Sequence, residues 1–205
     1  MRSRRRRGFW GSGAQVCAAL LILSAGVWSP APASATVVEE LSLEELTHQA
    51  VYVVRARVGA QYVHPERGPR GEIYTRTELT ALGYLKGEGP RRLTVQQLGG
   101  RFGPYRMQIS GNAPLRTGDE VVLFLDHDPA SGLSYVVGLS QGLYRVNRTA
   151  ASEWVERELD GLSFYTAGAV PYGLPTFVQG LAELELRIRA TFDMAPDDGP
   201  EGVRR

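Results

Sequence analysis

The segment from residue 51 to residue 146 is a succession of strand-like stretches with no helical stretch between them. Two of these stretches, 51–58 and 73–85, are long and rich in β-branched and aromatic residues, which favour strands. A parallel α/β sheet requires a helix between successive strands, so the pattern excludes that architecture. We therefore predict a mainly β fold, a small antiparallel barrel with one helix at each end of the domain.

The other strands are predicted from shorter apolar or alternating stretches. They cover 92–98, 105–110, 120–125, 133–139, 142–146 and, with a weaker pattern, 154–159. Glu120–Leu125 is the most apolar of them, which places it at the centre of the barrel. Gly83 interrupts the second long strand and predicts a bulge or a sharp bend. Segments 64–71, 126–132 and 161–175 are predicted as loops or irregular structure.

Both predicted helices carry capping patterns. Ser42 with Glu45 forms a capping box at the start of a short N-terminal helix. Thr176 with Gln179 matches the same pattern at the start of a C-terminal amphipathic helix. The apolar stripe of this second helix consists of Phe177, Leu181, Leu184, Ile188 and Phe192. Residues 196–205, rich in Pro, Gly and charge, are predicted to form a disordered tail.

The first 35 residues have the order of regions found in an export signal. Five arginines with no acid among them precede a 14-residue apolar run, 14–27, and Ala33-Ser34-Ala35 suits a signal peptidase. We predict cleavage between Ala35 and Thr36, which leaves a single domain over 36–195. A retained membrane anchor is disfavoured because a spanning helix needs roughly 20 apolar residues.

The signal predicts a protein that works outside the cytoplasm, in the periplasm or as a secreted protein. Arg6-Arg7-Gly8-Phe9-Trp10 resembles the twin-arginine export motif. A run of arginines produces that match easily by chance, so the general secretory route is favoured. No later segment is long and apolar enough to cross a membrane, so the domain is expected not to span one after cleavage.

Removing the signal changes both the charge and the cysteine content. Five of the 23 basic residues and none of the 22 acidic residues precede Thr36, so the remaining chain has 18 basic and 22 acidic residues, a net charge of −4. A negative domain without a basic face excludes nucleic acid as the expected partner. The only cysteine, Cys17, also leaves with the signal, which excludes disulfides and thiolate metal sites.

Four motifs follow one another in an order seen in a group of uncharacterised exported bacterial proteins. They are the Leu-rich helix at 43–46, the Val-rich strand at 53–58, Tyr84-Leu85-Lys86-Gly87 and the apolar strand at 118–125. Over roughly residues 40–146, this organisation is similar to the netrin-like module of tissue inhibitors of metalloproteinases. The resemblance implies an OB-type barrel, a fold that binds ligands across an aromatic-bearing strand face.

The same resemblance implies inhibition of an extracellular protease as an alternative function. Those inhibitors place an N-terminal cysteine on the protease zinc through its amine and carbonyl. After cleavage this chain would begin at Thr36 and would contain no cysteine. The resemblance therefore supports the fold more than it supports that inhibitory mechanism.

No residue cluster indicates a catalytic, metal or cofactor site. Asp126-His127-Asp128 contains metal-binding residue types, but the turn sequence that follows favours a hairpin connection. Ser140 lies in a Gly-x-Ser-x-Gly pattern, yet a strand is predicted after it, where a nucleophile elbow requires a helix. We predict no enzyme and no cofactor, with a hydrolase that uses Ser140 and His127 as a remote alternative.

Aromatic residues are the strongest indication of a binding surface. Most aromatic residues in a barrel belong to the core, and that alternative stays open here. The residues predicted to form a ligand face are Tyr52, Tyr74, Tyr84, Phe102 and Tyr105. We predict an exported, non-enzymatic binding or structural module that recognises a protein or a component of the cell envelope.

Overall fold

A computed structural model of the protein describes residues 36–65, 71–165, 172–174 and 177–193. The predicted export signal with Ala35 at its end, the cap residue Thr176 and the predicted tail 196–205 lie outside the described residues. The described fold is mainly β, as the sequence predicts, and contains two α-helices. No helix among the described residues is long and apolar enough to cross a membrane.

Twelve strands and two α-helices make up the described chain. The strands are β1 (Thr36–Glu39), β2 (Tyr52–Pro65), β3 (Ile73–Lys86), β4 (Arg92–Leu98), β5 (Gly100–Phe102), β6 (Tyr105–Met107), β7 (Glu120–Asp128), β8 (Leu133–Val136), β9 (Leu143–Arg148), β10 (Glu153–Arg157), β11 (Leu162–Tyr165) and β12 (Phe177–Gly180). The helices are α1 (Leu43–Gln49) and α2 (Leu181–Asp193), and a 3₁₀ turn covers Leu139–Gly142.

Eight strands form one sheet in the order β12-β10-β9-β7-β2-β3-β4-β8. β8 also pairs with β7, so β7, β2, β3, β4 and β8 are joined in a closed circuit of hydrogen-bonded strands. The pairings in this circuit are antiparallel except that of β4 with β8. β1 with β11 and β5 with β6 form two separate ribbons, of which the first is parallel. The sequence led us to expect antiparallel strands throughout. The parallel pairings of β1 with β11 and of β4 with β8 depart from that prediction.

β7 is buried on both faces along its apolar part, which explains why its sequence does not alternate. Its odd-numbered residues belong to a core built by the circuit, and its even-numbered residues belong to a second core under the two helices. The first core includes Val54, Ala56, Leu79, Leu93, Val95, Val121, Leu123 and Leu125. The second core includes Leu46, Val53, Val122, Phe124, Tyr144, Val155, Leu184 and Ile188.

The capping box of α1 is confirmed. The Glu45 amide donates to Ser42 Oγ at 3.1 Å, and the Ser42 amide donates to Glu45 Oε2 at 2.7 Å. At the other end of the helix, Lys86 Nζ donates to the carbonyls of Thr47 and Ala50 at 2.6 and 2.7 Å. Both ends of this short helix therefore have partners for backbone groups that a helix alone leaves unsatisfied.

The predicted start of the C-terminal helix is wrong. Residues 177–180 form β12 and pair with β10, and α2 begins only at Leu181. Pairing with β10 satisfies backbone groups that a first helical turn would leave open, so tertiary context overrides the helical pattern. Phe177 lies in β12 and is not part of the helix, and Phe192 is exposed. The stripe residues that are buried are Leu181, Leu184 and Ile188.

Gly83 lies at a bulge, as predicted. Arg55 pairs with Gly83 and the next residue of β2 pairs with Ala81, so Leu82 is the extra residue of β3. Three predicted loops are shorter than expected, because β2 continues to Pro65, β7 continues to Asp128 and β11 occupies part of 161–175. β11 escaped prediction because it forms by pairing with β1, which is far away in sequence.

Candidate functional site

The five aromatic residues predicted as a ligand face lie in two separate groups. Tyr52 and Tyr84 lie where β2 begins and β3 ends, whereas Tyr74 lies at the start of β3. Ten residues separate Tyr74 from Tyr84, which is up to roughly 34 Å along an extended strand. Phe102 and Tyr105 lie on the β5–β6 ribbon, and β5 contacts β2 and β3. The structure does not bring the five residues together on one face.

Tyr52 and Tyr84 are partly buried and pack against the core of the circuit. Their rings meet edge to face with centroids 5.7 Å apart, and the Tyr52 ring lies 5.4 Å from the His127 ring. The Tyr84 hydroxyl donates to the Pro90 carbonyl at 2.7 Å, and burial raises the pKa of Tyr84. Such packing with a satisfied hydroxyl is typical of aromatic residues that stabilise a core.

The β5–β6 ribbon presents exposed aromatic and cationic side chains. Phe102 pairs directly with Tyr105 across the ribbon, and the two residues are 46% and 70% exposed. The next pair is Arg101 with Arg106, both exposed, and neither forms an ion pair with a described residue. Like charges directly opposite each other in a ribbon are destabilising, so this element carries an uncompensated local positive charge.

A cleft of about 260 Å³ opens beside this ribbon. Its wall includes the side chains of Gln61, Gln97 and Asn112, whose amide nitrogens donate to backbone carbonyls at 2.7–3.1 Å. The ribbon reaches the cleft only because residue 100 is glycine. At φ +138°, a Cβ on Gly100 would lie 2.7 Å from Thr75 Oγ1.

Glu120 at the start of β7 is a buried carboxylate that accepts hydrogen bonds from three arginines. Arg148 donates two at 2.6 Å each, Arg55 donates one at 2.6 Å, and Arg57 donates one at 3.4 Å. The hydrogen bonds from Arg148 and then Arg55 lower the pKa of Glu120 from 4.5 to about 2. Arg55 also binds Glu185 on α2 at 3.1 Å, so the cluster joins the sheet to the helix.

Two buried arginines lie on neighbouring strands, Arg145 on β9 and Arg157 on β10, and they are 8% and 9% exposed. Arg145 Nε donates to Asp119 at 2.7 Å, and Arg145 Nη1 binds Glu158. Arg157 has one hydrogen bond, from Nη1 to the Tyr144 hydroxyl at 3.1 Å, and its Nε has no partner among the described residues. A cavity of about 240 Å³ adjoins Arg157.

The residues considered as metal ligands lie at the end of β7, where Asp128 stabilises the turn to β8. Asp128 accepts hydrogen bonds from the Ser131 hydroxyl at 2.6 Å and the Ala130 amide at 2.9 Å, and these bonds lower the pKa of Asp128. His127 Nδ1 lies 3.1 Å from Ser134 Oγ. Within the described ranges, no group of three or more potential ligands could hold a metal ion.

Ser140 lies inside the 3₁₀ turn, is 1% exposed, and has a hydroxyl without a hydrogen-bond partner in the described part of the chain. β9 follows directly, so the helix that a nucleophile elbow requires is replaced by a strand. A buried hydroxyl without a neighbouring base lacks the activation that nucleophilic catalysis needs. The geometry thus gives the hydrolase alternative no support.

Thr36, predicted to follow the cleavage site, is fixed at the start of β1. Its amide donates to the Gly161 carbonyl at 3.0 Å, and its hydroxyl donates to the Ser110 carbonyl at 2.7 Å. β1 pairs with β11 from this first residue onward.

The buried charged residues Glu120, Arg145 and Arg157 were not predicted from the sequence. The available signal was the presence of Arg55, Arg57 and Glu120 within or beside apolar strands. For the two buried arginines no local signal exists. Arg145 binds Asp119, which is 26 residues away in sequence, and Arg157 binds Tyr144, which is 13 residues away. These partners come together only when the sheet has formed.

Comparison with known proteins adds no family to this geometry. The chain matches no model of a known protein family. It also has no significant match among curated proteins.

Proposed function

We propose that the protein is an exported binding module without enzymatic activity, and that its β5–β6 ribbon recognises an acidic segment of a protein in the cell envelope. The observation that carries this proposal is the exposed Phe102–Tyr105 pair beside the Arg101–Arg106 pair. Aromatic residues and arginine are enriched in protein interfaces and supply most of their binding energy.

The arginine pair supports an acidic partner. Arg101 and Arg106 lie opposite each other, and no carboxylate among the described residues pairs with either of them. An acidic side chain bound between them relieves this repulsion and accepts charge-assisted hydrogen bonds from a guanidinium. Since the chain from Thr36 onward has a net charge of −4, the ribbon is a local exception that orients an acidic partner.

The cleft beside the ribbon supports recognition of an extended chain. Its volume of about 260 Å³ has room for a side chain of the partner. The amides of Gln61, Gln97 and Asn112 are held by their hydrogen bonds to the backbone, so little side-chain freedom remains to be lost on binding. The ribbon and the cleft together provide a charged contact and a specificity pocket.

We also propose that the closed circuit is an OB-type barrel of the netrin-like kind. The order β7-β2-β3-β4 is that of a Greek key, in which a fourth strand returns to lie beside the first. OB-type barrels are five-stranded, partly open Greek-key barrels. The single residue pair that joins β4 to β8, Val95 with Ser134, fits a barrel that is only partly closed.

The export signal predicted in residues 1–35 supports a place outside the cytoplasm. Protease inhibition through the N-terminus has weaker support, because no cysteine follows the predicted cleavage site. An interaction surface that does not use the Thr36 nitrogen is therefore the better supported function.

The proposal is tested with purified residues 36–205 and a fluorescent oligoglutamate peptide as the probe. The variant Arg101→Glu/Arg106→Glu reverses the ribbon charge. Its matched control, Arg91→Glu/Arg92→Glu, makes the same charge change at exposed arginines where β4 begins. Fluorescence anisotropy measures the affinity of each form at low and at physiological salt.

We expect the ribbon variant to weaken binding by about tenfold or more, and the control variant to have a much smaller effect. Replacing Phe102 and Tyr105 with serine should weaken binding at both salt concentrations, because the aromatic contribution is not screened. Equal losses in the ribbon and control variants, or no binding of the probe at all, would overturn the proposal.

A further inference from the structure

Arg157 is a buried cation whose charge is not matched by an acidic side chain of the described residues. Its guanidinium carbon lies 5.4 Å from the centroid of the Tyr144 ring, and its Nη1 donates to the hydroxyl of the same tyrosine. No carboxylate of the described residues forms an ion pair with it. Arginine is almost never fully buried unless it is paired, because an isolated charge in the interior is costly.

The neighbouring groups do not supply the missing negative charge. Burial raises the pKa of Tyr144, so its hydroxyl stays neutral at neutral pH. Glu44 accepts from Arg187 at 3.2 Å, and Glu40 accepts from the Tyr172 hydroxyl at 2.8 Å. Both acids at the rim of the cavity thus have other partners.

Gln179 contributes a second N–H donor without a partner among the described residues, and it lines the same cavity as Arg157. Gln179 on β12 pairs with Val155 in the sheet, which makes it a diagonal neighbour of Arg157 on the same sheet face. Its Nε2 is buried and, like Arg157 Nε, has no hydrogen-bond partner in the described part of the chain. Both residues line the same cavity of about 240 Å³.

The wall opposite these donors is held in place by the fold. Gln141, buried in the 3₁₀ turn, accepts from the Leu41 amide at 2.8 Å and donates to the Glu39 carbonyl at 3.0 Å. These bonds fix the connection between β1 and α1, which forms that wall. The cavity is therefore preformed, and the N–H donors without a hydrogen-bond partner lie buried in two residues that line it.

We propose that this cavity is a binding site for a carboxylate group, held by Arg157 and Gln179. A guanidinium presents parallel N–H donors that match a carboxylate, and a single negative charge is what the site lacks. The presence of Glu40 and Glu44 at the rim disfavours ligands of higher charge. The group belongs either to a small free acid or to the C-terminus of a peptide.

The test observes Arg157 directly in the wild-type domain. The probes are sodium acetate, N-acetyl-alanyl-alanine and the C-terminal amide of that dipeptide, each titrated at constant ionic strength. The ¹⁵N–¹H resonance of Arg157 Nε should shift saturably with a carboxylate probe and stay unchanged with the amide. A tighter response to the dipeptide acid than to acetate identifies a chain terminus as the ligand, and the reverse identifies a small acid.

Two variants complete the test. Arg157→Met should weaken carboxylate binding by about tenfold or more, and Arg157→Lys, which keeps a charge without the planar fork, should also weaken it. Arg189→Gln, at an exposed arginine of α2 that does not line this cavity, is the matched control and should change the affinity by less than about threefold. Equal shifts of the Arg157 resonance with the acid and the amide, or binding that survives Arg157→Met, would overturn the proposal.

Discussion

Arg145 and Arg157 are equally buried arginines on adjacent strands, yet among the described residues only Arg145 has a counter-charge. Arg145 binds two carboxylates, Asp119 and Glu158, while Arg157 binds a neutral phenol, Tyr144. The first arrangement is complete within the folded chain. The second leaves the charge of Arg157 and its Nε–H donor without a partner among the described residues. The buried charge of Arg145 is accounted for by its ion pairs, whereas the unpaired charge of Arg157 is the reason for proposing a bound carboxylate.

The largest effect is expected from breaking the complete arrangement. Arg145→Met should lower the free energy of unfolding by about 3 kcal/mol, because Asp119 and Glu158 lose the cation that binds both of them. Urea denaturation at neutral pH measures the change. A loss below about 0.5 kcal/mol would mean that this pair contributes little and that the contrast between the arginines is false.

Glu120 is a buried anion bound by three arginines, and we expect its contribution to the stability of the domain to depend on pH. Its pKa is held at about 2, below the ordinary 4.5, so its stabilisation is complete above pH 4.5 and is lost as the pH falls toward 2. We expect wild type to exceed Glu120→Gln in unfolding free energy by about 2–3 kcal/mol at neutral pH, somewhat reduced by the exposure of Arg57 and Arg148.

The measurement for Glu120 is urea denaturation of both forms between neutral pH and pH 2. The difference between wild type and Glu120→Gln should shrink across the acidic window. A difference that stays constant down to pH 2 would contradict the assignment of this pH dependence to Glu120.

A smaller effect is expected at the incomplete arrangement when its one hydrogen bond is removed. Tyr144→Phe should cost about 1 kcal/mol, because Arg157 Nη1 loses its acceptor while the ring stays packed. In the background of Arg157→Met the same change should cost much less. The double-mutant cycle of thermal unfolding measures this coupling, and additivity of the two changes would contradict it.

The smallest effect is expected from Arg157→Met in the absence of any ligand. Removing an unmatched buried charge while keeping its apolar volume should change stability by less than about 0.5 kcal/mol or should stabilise the domain. Calorimetry of Arg157→Met beside Arg145→Met makes the comparison direct. A loss as large as that of Arg145→Met would show that Arg157 has an internal role equal to that of its neighbour.

The predictions that held depend on local chemistry. Ser42 and Glu45 form their capping box within four residues, and Gly83 marks its bulge because a missing side chain weakens a strand locally. The mainly β fold follows from patterns of the same short range. What failed depends on distant pairing, since β12 forms on β10 and β11 forms on β1, and neither partner can be read from the segment itself.

The candidate site was predictable only in part. Of the aromatic residues predicted to form a ligand face, Phe102 and Tyr105 are exposed, whereas Tyr52 and Tyr84 pack against the core of the circuit. Arg157 could not be distinguished from Arg145, because the number of carboxylates near a side chain depends on which segments the sheet brings together. The amino-acid composition gives the number of charged residues but does not say which of them form ion pairs in the folded domain.

The double burial of β7 has a consequence for how the domain opens. One face of Val121–Leu125 belongs to the core of the circuit and the other to the core under the helices. Neither core can expose its residues of β7 to water while the other stays intact. The backbone amides of Val122 and Leu123 should therefore exchange their hydrogens only when the whole domain unfolds, which makes β7 the reporter of global stability.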